Sequence, residues 1–174
     1  MRYYLKSKTM TGFKFKQFGI HQERCAMKVG TDGVLLGAWA PGGKRILDIG
    51  SGTGLISLMM AQRFPEAQVL GIDMDGEACE EAAENVAASP FADRVGIECC
   101  RLQDFHSVES FDAIVSNPPF FLNSLKNPDS KRTMARHTDS LPFRDLFRGA
   151  KMLLSDDGVF SVIVPSEVLE VVVS

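Results

Sequence analysis

The sequence has few of the residues that build metal centres or cross-linked folds. Its 174 residues include four cysteines and three histidines, and the cysteines form no Cys-x-x-Cys pair. A zinc or other metal site is therefore not expected. Cys99 and Cys100 are adjacent in the chain. Neighbours in a strand point to opposite faces, so we expect reduced, mostly buried thiols.

Long apolar segments are also missing. No apolar run approaches the roughly 20 residues that span a bilayer, and the basic N-terminus lacks the apolar stretch of a signal peptide. Hydrophobic residues make up 45% of the chain and charged residues 24%, values typical of one globular domain with a sizeable core. We therefore expect a cytoplasmic protein that does not contact a membrane.

The charges are unevenly distributed. A net charge of −3 argues against a chain that binds nucleic acid over its whole surface. Residues 1–22 nevertheless contain lysine and arginine but no acid, residues 48–112 are mainly acidic, and residues 126–148 are basic again. Two basic segments beside an acidic body can hold a polyanion locally, although such runs are more often ordinary solvated surface.

Alternating strand and helix patterns predict an α/β fold. Residues 13–17 and 20–24 indicate a hairpin turned at Gly19, and Thr31 and Asp32 are candidate caps of a helix that reaches Trp39. The predicted core strands are 45–49, 68–72, 95–99, 113–116 and 158–164, and the predicted helices are 55–64, 76–88 and 143–154. This repetition implies a mostly parallel sheet with helices on both faces. We divide the chain into an N-terminal hairpin and helix extension, residues 1–43, and a core, residues 44–174.

A glycine-rich loop, DIGSGTG at residues 48–54, follows the first core strand. Its spacing is GxGxG, which departs from the GxGxxG of dinucleotide-binding loops. Asp73 ends the second core strand and is suited to binding ribose hydroxyls, and Asp104 follows the third and is suited to an adenine amino group. Each feature alone is common as a structural turn or a helix cap. Together they predict a cofactor that contains adenosine.

The most specific motif is Asn117-Pro118-Pro119-Phe120, which follows the fourth core strand. The two prolines stiffen the backbone and remove two N–H donors, while the carbonyls and the Asn117 side chain remain as acceptors. Such a loop can accept both hydrogens of an amino group and expose the lone pair on its nitrogen. Phe120 offers a flat surface on which a planar group can stack. The motif predicts methyl transfer to an amide-like nitrogen by positioning and electrostatics, without a covalent intermediate.

The motifs DIGSGTG, GIDMD and NPPF, in this order, resemble those of class I S-adenosylmethionine-dependent methyltransferases. The segment MKVGTDGVLLGAW at residues 27–39, with Ala135-Arg136-His137 and Leu141-Pro142-Phe143, resembles the bacterial tRNA1(Val) adenine-N6-methyltransferase family. The resemblance implies a Rossmann-like three-layer sandwich. The chain ends soon after the fifth predicted core strand, so we expect the last two strands of a seven-stranded sheet to be absent from it.

The resemblance also implies residue roles. The family pattern gives the catalytic loop as Asn117, Pro118, Pro119 and Phe120. It gives the S-adenosylmethionine site as Lys28, Gly30, Thr31, Asp32, Asp48, Gly50, Gly52, Gly54, Asp73, Met74, Asp104 and Asn117. It gives the tRNA-binding residues as Phe120, Lys126, Lys131, Arg132, Arg136 and His137. The target base has to leave its stack to enter such a pocket.

Other functions fit parts of the pattern. Asn-Pro-Pro-aromatic loops also serve guanine-N2 methylation of ribosomal RNA and glutamine-N5 methylation of release factors, since all these acceptors are amide-like nitrogens. A nucleotide-binding module, a NAD-dependent oxidoreductase or a non-catalytic S-adenosylmethionine-binding subunit would share the glycine loop. The GxGxG spacing argues against the oxidoreductase.

Overall fold

The computed structural model of the protein describes residues 12–119 and 143–164. Two short strands come first, β1 (Gly12–Lys14) and β2 (Gly19–His21). The core strands are β3 (Arg45–Ile49), β4 (Gln68–Asp73), β5 (Val95–Cys99), β6 (Phe111–Ser116) and β7 (Leu154–Val162). The helices are α1 (Thr31–Trp39), α2 (Leu55–Arg63), α3 (Gly76–Ala87) and α4 (Phe143–Leu153), with a 3-10 turn at Leu102–Asp104.

The core strands form one five-stranded sheet with the order β5-β4-β3-β6-β7, and each neighbouring pair is parallel. From β3 the chain adds strands first on one side, β4 and then β5, and afterwards on the other, β6 and then β7. Right-handed crossovers place the helices of the two halves on opposite faces of such a sheet. The prediction of a mostly parallel sheet is therefore confirmed. The last strand differs from its predicted range of 158–164, because β7 begins at Leu154 directly after α4 and ends at Val162.

Side chains alternate across the strands and so build two hydrophobic cores. On one face Ile46, Val69 and Ala113 pack with residues of α1, α2 and α3, including Leu36, Leu58 and Val86. On the other face the strands pack with the 3-10 turn and α4 through Leu47, Ile72, Ile114, Leu102 and Leu146. The period of two along each strand makes both faces apolar, as a sheet covered by helices on both sides requires.

The N-terminal segment contributes to the first of these cores. Phe18 and Ile20 are buried with the residues of α2 and β4, and the Phe18 ring meets the Phe91 ring edge-on at 6.2 Å between centroids. β1 and β2 pair antiparallel in a small sheet of their own. The hairpin therefore rests on the core through the apolar residues that flank and enter β2.

Three details of the N-terminal segment differ from the sequence expectations. The hairpin strands are shorter than 13–17 and 20–24, and the chain reverses where Phe15 N donates to Phe18 O at 2.8 Å, while Gly19 already belongs to β2. Thr31 and Asp32 do not cap α1. The cap is Gly30, whose backbone is extended and makes no side-chain bond, so Thr31 and Asp32 are the first two residues of the helix. The negative charge of Asp32 in the first turn still interacts favourably with the positive end of the helix dipole.

Candidate active site at the carboxyl edge of the sheet

The site begins where the strand order reverses, between β3 and β6. Ile49 and Ser116 are register partners in the two strands, and Ser116 Oγ donates a hydrogen bond to Ile49 O at 2.8 Å. The loops that follow β3 and β6 therefore leave the sheet side by side. In open α/β sheets ligands bind in the crevice at such a reversal, beyond the carboxyl ends of the strands.

The glycine loop after β3 depends on a backbone conformation that other residues rarely adopt. Gly50, Gly52 and Gly54 all have positive φ, at 73°, 53° and 80°. The loop is tied to β4 because the amides of Gly50 and Ser51 both donate to Ile72 O, at 2.8 and 3.0 Å. Gly54 is the N-cap of α2, so the first amides of that helix face the site edge. Glycine at these three positions lets the loop turn sharply and leaves its backbone open to a ligand.

Asp48 lies below this loop and is completely buried. Its Oδ2 accepts hydrogen bonds from Ser57 N at 3.0 Å and Ser57 Oγ at 2.7 Å, which ties β3 to α2. Burial raises the pKa of Asp48 from 3.8 to about 7, against the lowering effect of Ser57. Asp48 Oδ1 and the nearby Ser51 Oγ are buried and have no hydrogen-bond partner among the described residues. Each therefore has hydrogen-bonding capacity at the base of the loop that no described residue uses.

Asp73 connects the end of β4 to the glycine loop. Its Oδ2 accepts from Gly52 N at 2.8 Å, and its Oδ1 accepts from Asp75 N at 3.0 Å. Each carboxylate oxygen can accept a further hydrogen bond. Met74 follows it and is 44% exposed, while Asp104 is exposed on the 3-10 turn after β5. Asp73 is the last residue of β4, Met74 follows it, and Asp104 follows the neighbouring strand β5.

Asn117 follows β6 directly and faces the start of α1. A Cβ built on Gly33 would lie 3.6 Å from Asn117 Nδ2 and 3.4 Å from Leu55 Cδ2, so the first turns of α1 and α2 meet beside Asn117. Its Oδ1 is buried without a hydrogen-bond partner among the described residues. Pro118 is buried and Pro119 exposed. The arrangement leaves a buried amide oxygen at the strand tip, free to accept a hydrogen bond.

The segment before α1 approaches the same edge. Gly30, Thr31 and Asp32 are exposed at the start of α1, next to the Gly33–Asn117 contact. Lys28 is also exposed, but its ammonium group donates to backbone carbonyls of its own loop, including Cys25 O at 2.9 Å. The structure therefore shows Lys28 as a residue that shapes this loop.

The remaining residues predicted for the site lie outside the part of the chain that the structure describes. They are Phe120, Lys126, Lys131, Arg132, Arg136 and His137. Their roles stay predictions from the family pattern.

Three of the four cysteines, Cys25, Cys79 and Cys100, do not have the character of nucleophiles. Burial raises the pKa of Cys25, raises that of Cys79 to about 12 and raises that of Cys100 to about 11. These thiols stay protonated near neutral pH, whereas the thiolate is the nucleophile. Across residues 12–119 and 143–164, no group of three or more His, Cys, Asp or Glu side chains is arranged to hold a metal ion. Nor does any helix within those ranges have the length and apolar character needed to cross a membrane.

Three residues that bind side chains or backbone near the site were not identified from the sequence. Ser57 ties Asp48 to α2, and Glu81 and Asn85 on α3 bind the backbone near residues 21–25. Glu81 and Asn85 are spaced i, i+4 among the apolar Ala78, Ala82 and Val86, and all five are buried. Two polar residues on the buried face of a helix were the available signal, because buried polar groups need partners.

Comparisons with known proteins agree with this geometry. The family model of the methyltransferase small domain matches residues 29–170. A tRNA1(Val) (adenine(37)-N6)-methyltransferase of Phocaeicola vulgatus is 56% identical over 157 residues, which are 89% of this chain and 67% of that protein. The protein of the same name from Bacteroides thetaiotaomicron is 50% identical over 161 residues, 91% and 68% of the two chains. The chain thus spans about two thirds of the length of these relatives.

Solved structures show the same fold at low sequence identity. Pyrococcus horikoshii TYW2 in complex with MeSAdo is 20% identical, with a TM-score of 0.52 over 63% of this chain and 42% of that one. The CcbJ methyltransferase of Streptomyces caelestis is also 20% identical, with a TM-score of 0.51 over 75% of this chain and 46% of the other. At this level of identity they support the Rossmann-like architecture alone.

Proposed function

The chain belongs to the methyltransferase small domain family, among the bacterial tRNA1(Val) (adenine(37)-N6)-methyltransferases, and on that premise we propose its reaction. It transfers a methyl group from S-adenosylmethionine to the exocyclic N6 of an adenine in tRNA, at the adenosine at position 37 of the anticodon loop. S-adenosylhomocysteine is the leaving group, and the methylated nitrogen gives up one proton to solvent. The observation that carries this proposal is Asn117 Oδ1, which is buried beside the glycine loop and has no hydrogen-bond partner in the part of the chain that the structure describes.

The residues at the strand tips suit the cofactor. Asp48 Oδ1 and Ser51 Oγ, which have no hydrogen-bond partner among the described residues, lie below a loop of three left-handed glycines, whose bare backbone can approach a ligand closely. Asp73 has acceptor capacity left for a pair of ribose hydroxyls. When bound, S-adenosylmethionine supplies an electrophilic methyl group on a positively charged sulfur.

The loop that follows β6 contains the residues that act on the amine, Asn117 and Pro118. An exocyclic amine is a weak nucleophile because its lone pair is delocalised into the ring. Asn117 Oδ1 accepts one hydrogen of the amine, and the Pro118 carbonyl, which follows in the rigid Pro-Pro backbone, is suited to the other. Accepting both hydrogens localises the lone pair and orients it, an effect of positioning and electrostatics.

The surface of α4 supports an RNA substrate. Arg144, Arg148 and Lys151 are spaced i, i+4 and i+7, are exposed, and form no ion pair with any residue that the structure describes. α4 leads directly into β7, which starts at the amino edge of the sheet, so Arg144 lies toward the carboxyl edge where the site is. These three side chains form a row of positive charge that runs along α4 away from the site. Such a row can contact successive phosphates of an RNA backbone.

The test is methyl transfer from radiolabelled S-adenosylmethionine to separate pools of tRNA, ribosomal RNA and release factor. We expect label in tRNA above a heat-inactivated control. Label confined to ribosomal RNA or to release factor would replace the proposal with one of those acceptors. Absence of label from all three pools, with S-adenosylhomocysteine still bound, would indicate a binding module.

A further inference from the structure

A short loop, residues 22–28, joins the N-terminal hairpin to α1, and its backbone is held from two sides. Glu81 of α3 is 1% exposed and accepts three consecutive amides of this loop. Oε1 accepts from Glu23 N at 2.5 Å and Arg24 N at 3.0 Å, and Oε2 accepts from Cys25 N at 2.8 Å. A carboxylate that accepts several amides is strongly bound and stays charged.

The carbonyl groups of the same loop accept hydrogen bonds from a different partner, the side chain of Lys28. Lys28 Nζ donates to Gln22 O, to Glu23 O at 3.3 Å and to Cys25 O at 2.9 Å. An ammonium group has three donors, so all of them are used here. Three N–H groups of the loop thus donate to a buried carboxylate, and three of its carbonyls accept from an exposed ammonium group. These hydrogen bonds fix the shape of the loop without regular secondary structure.

Asn85, one helical turn beyond Glu81, links this segment to the glycine loop. Its Oδ1 accepts from His21 N at 2.8 Å, and its Nδ2 donates both to His21 O and to Thr53 O, each at 2.9 Å. The side chain is fully buried. One amide group therefore pairs with the end of β2 and with the backbone of the glycine loop.

The loop also contacts the glycine loop directly. Cys25 is 3% exposed, and its Sγ lies 3.5 Å from a Cβ built on Gly52. The glycine loop is therefore supported at Gly52 by Cys25 and at Thr53 by Asn85, while Asp73 accepts the Gly52 amide. Glycine loses more backbone freedom on ordering than any other residue, so a loop with three left-handed glycines needs such support to stay in one conformation.

We propose that Glu81 and Asn85 are positioning residues of the cofactor site, which preorganise the glycine loop by holding residues 21–25 against it. The inference rests on the proposed function, since it takes the glycine loop as the binding surface for S-adenosylmethionine. Without this support, cofactor binding has to order the loop, and the ordering free energy is subtracted from the affinity. The hydrogen bonds of Glu81 and Asn85 go to residues 21–25 and to Thr53, and none goes to Asn117, so we expect the loss in cofactor affinity rather than in the methyl transfer step.

The test compares Glu81→Gln with Glu84→Gln. Glutamine at position 81 keeps one oxygen but places an NH2 group against backbone amides, whereas Glu84 contacts only the side chain of Arg24 in this loop. Calorimetric titration with S-adenosylhomocysteine should show about tenfold weaker binding for Glu81→Gln and a change of less than about twofold for Glu84→Gln. At saturating donor, kcat of Glu81→Gln should stay within about threefold of the wild type, so the loss appears in KM.

Three outcomes separate the possibilities. Unchanged affinity of a folded Glu81→Gln protein, with only a lower Tm, would overturn the positioning role. Failure of the wild type to bind S-adenosylhomocysteine would instead overturn the proposed function. If Glu81→Gln does not fold, hydrogen exchange of the wild type decides: residues 22–28 and 50–54 should gain protection together on ligand binding, and a gain in 50–54 alone would contradict the proposal.

Discussion

At the scale of single residues, three buried polar atoms that have no partner among the described residues lie together at the proposed site. Asp48 Oδ1, Ser51 Oγ and Asn117 Oδ1 are the buried side-chain atoms that lack a hydrogen bond among the described residues, and all three lie at or just beyond the ends of β3 and β6. An unsatisfied buried acceptor costs about 1–3 kcal/mol, so native proteins seldom keep one without a use. Their concentration at one edge of the sheet is the reason why we propose that a ligand supplies the missing hydrogen-bond partners.

Asn117 provides the first prediction. Asn117→Ala removes the free Oδ1 acceptor and should lower kcat about 100-fold or more, a loss comparable to that of one oxyanion-hole donor. The affinity for S-adenosylhomocysteine should change by less than about threefold. Steady-state kinetics and calorimetric titration measure the two effects. Parallel loss of turnover and cofactor affinity would show that Asn117 mainly shapes the cofactor pocket.

Asp48 provides the second prediction, on pH. The pKa of Asp48 is raised in the folded protein, from 3.8 to about 7, so the folded state holds this proton more tightly than the unfolded state. The stabilising contribution is therefore complete below about pH 4 and is lost as the pH rises through about 7. Asp48→Asn, which is neutral and of equal size, should lack this dependence and gain stability relative to the wild type near pH 8, by up to the order of 4 kcal/mol.

Urea denaturation of both proteins from pH 4 to pH 8 checks this prediction. The difference in unfolding free energy between wild type and variant should grow across that range. A difference independent of pH would mean that Asp48 is already ionised in the folded protein throughout.

At the scale of elements, the sequence predicts the parallel core better than the N-terminal segment. β3 and β5 have their predicted bounds, 45–49 and 95–99, because each is an apolar or alternating run that ends at a turn. The hairpin strands and the α1 cap were placed less well. Their limits depend on Asn85, which pairs with His21, and on the extended backbone of Gly30, and neither is readable from local sequence.

The candidate site, too, could be predicted from the sequence only in part. The glycine loop and Asn117-Pro118 follow predicted strands, so parallel topology alone predicts that they meet. The contacts of Glu81 with residues 23–25 join positions 56 to 58 residues apart. A single sequence carries no signal for which distant backbone a buried carboxylate will bind, beyond showing that it needs a partner.

The basic face of α4 provides the third prediction. Replacing Arg144 and Arg148 together by alanine should weaken tRNA binding and reduce the slope of log affinity against log salt by about 1–2, if each contacts a phosphate. Lys44→Ala is the control, because Lys44 is an exposed residue at the amino edge of the sheet, away from the site. Filter binding at several salt concentrations measures both quantities. If Lys44→Ala has the same effect, then Arg144 and Arg148 contribute only general positive charge and do not contact phosphates.

At the scale of the whole molecule, the fold brings the glycine loop after β3 and the loop after β6 together at one strand reversal, where we propose that cofactor and acceptor meet. The N-terminal extension contributes the start of α1 beside Asn117 and the loop that supports Gly52, so it takes part in the site as well as in the core. The division into an extension, residues 1–43, and a core, residues 44–174, remains a prediction. So do the tRNA contacts of Phe120, Lys126, Lys131, Arg132, Arg136 and His137. Both predictions come from the family pattern and from sequence.

The most direct test of this account is mass spectrometry of nucleosides from tRNA that was incubated with the protein and S-adenosylmethionine. The account predicts N6-methyladenosine that is absent without protein, is lost with Asn117→Ala, and disappears when adenosine 37 of the transcript is replaced by guanosine. Methylated guanosine, or methyladenosine formed equally by Asn117→Ala, would contradict it, because the amine would then be methylated without the acceptor on which the mechanism depends.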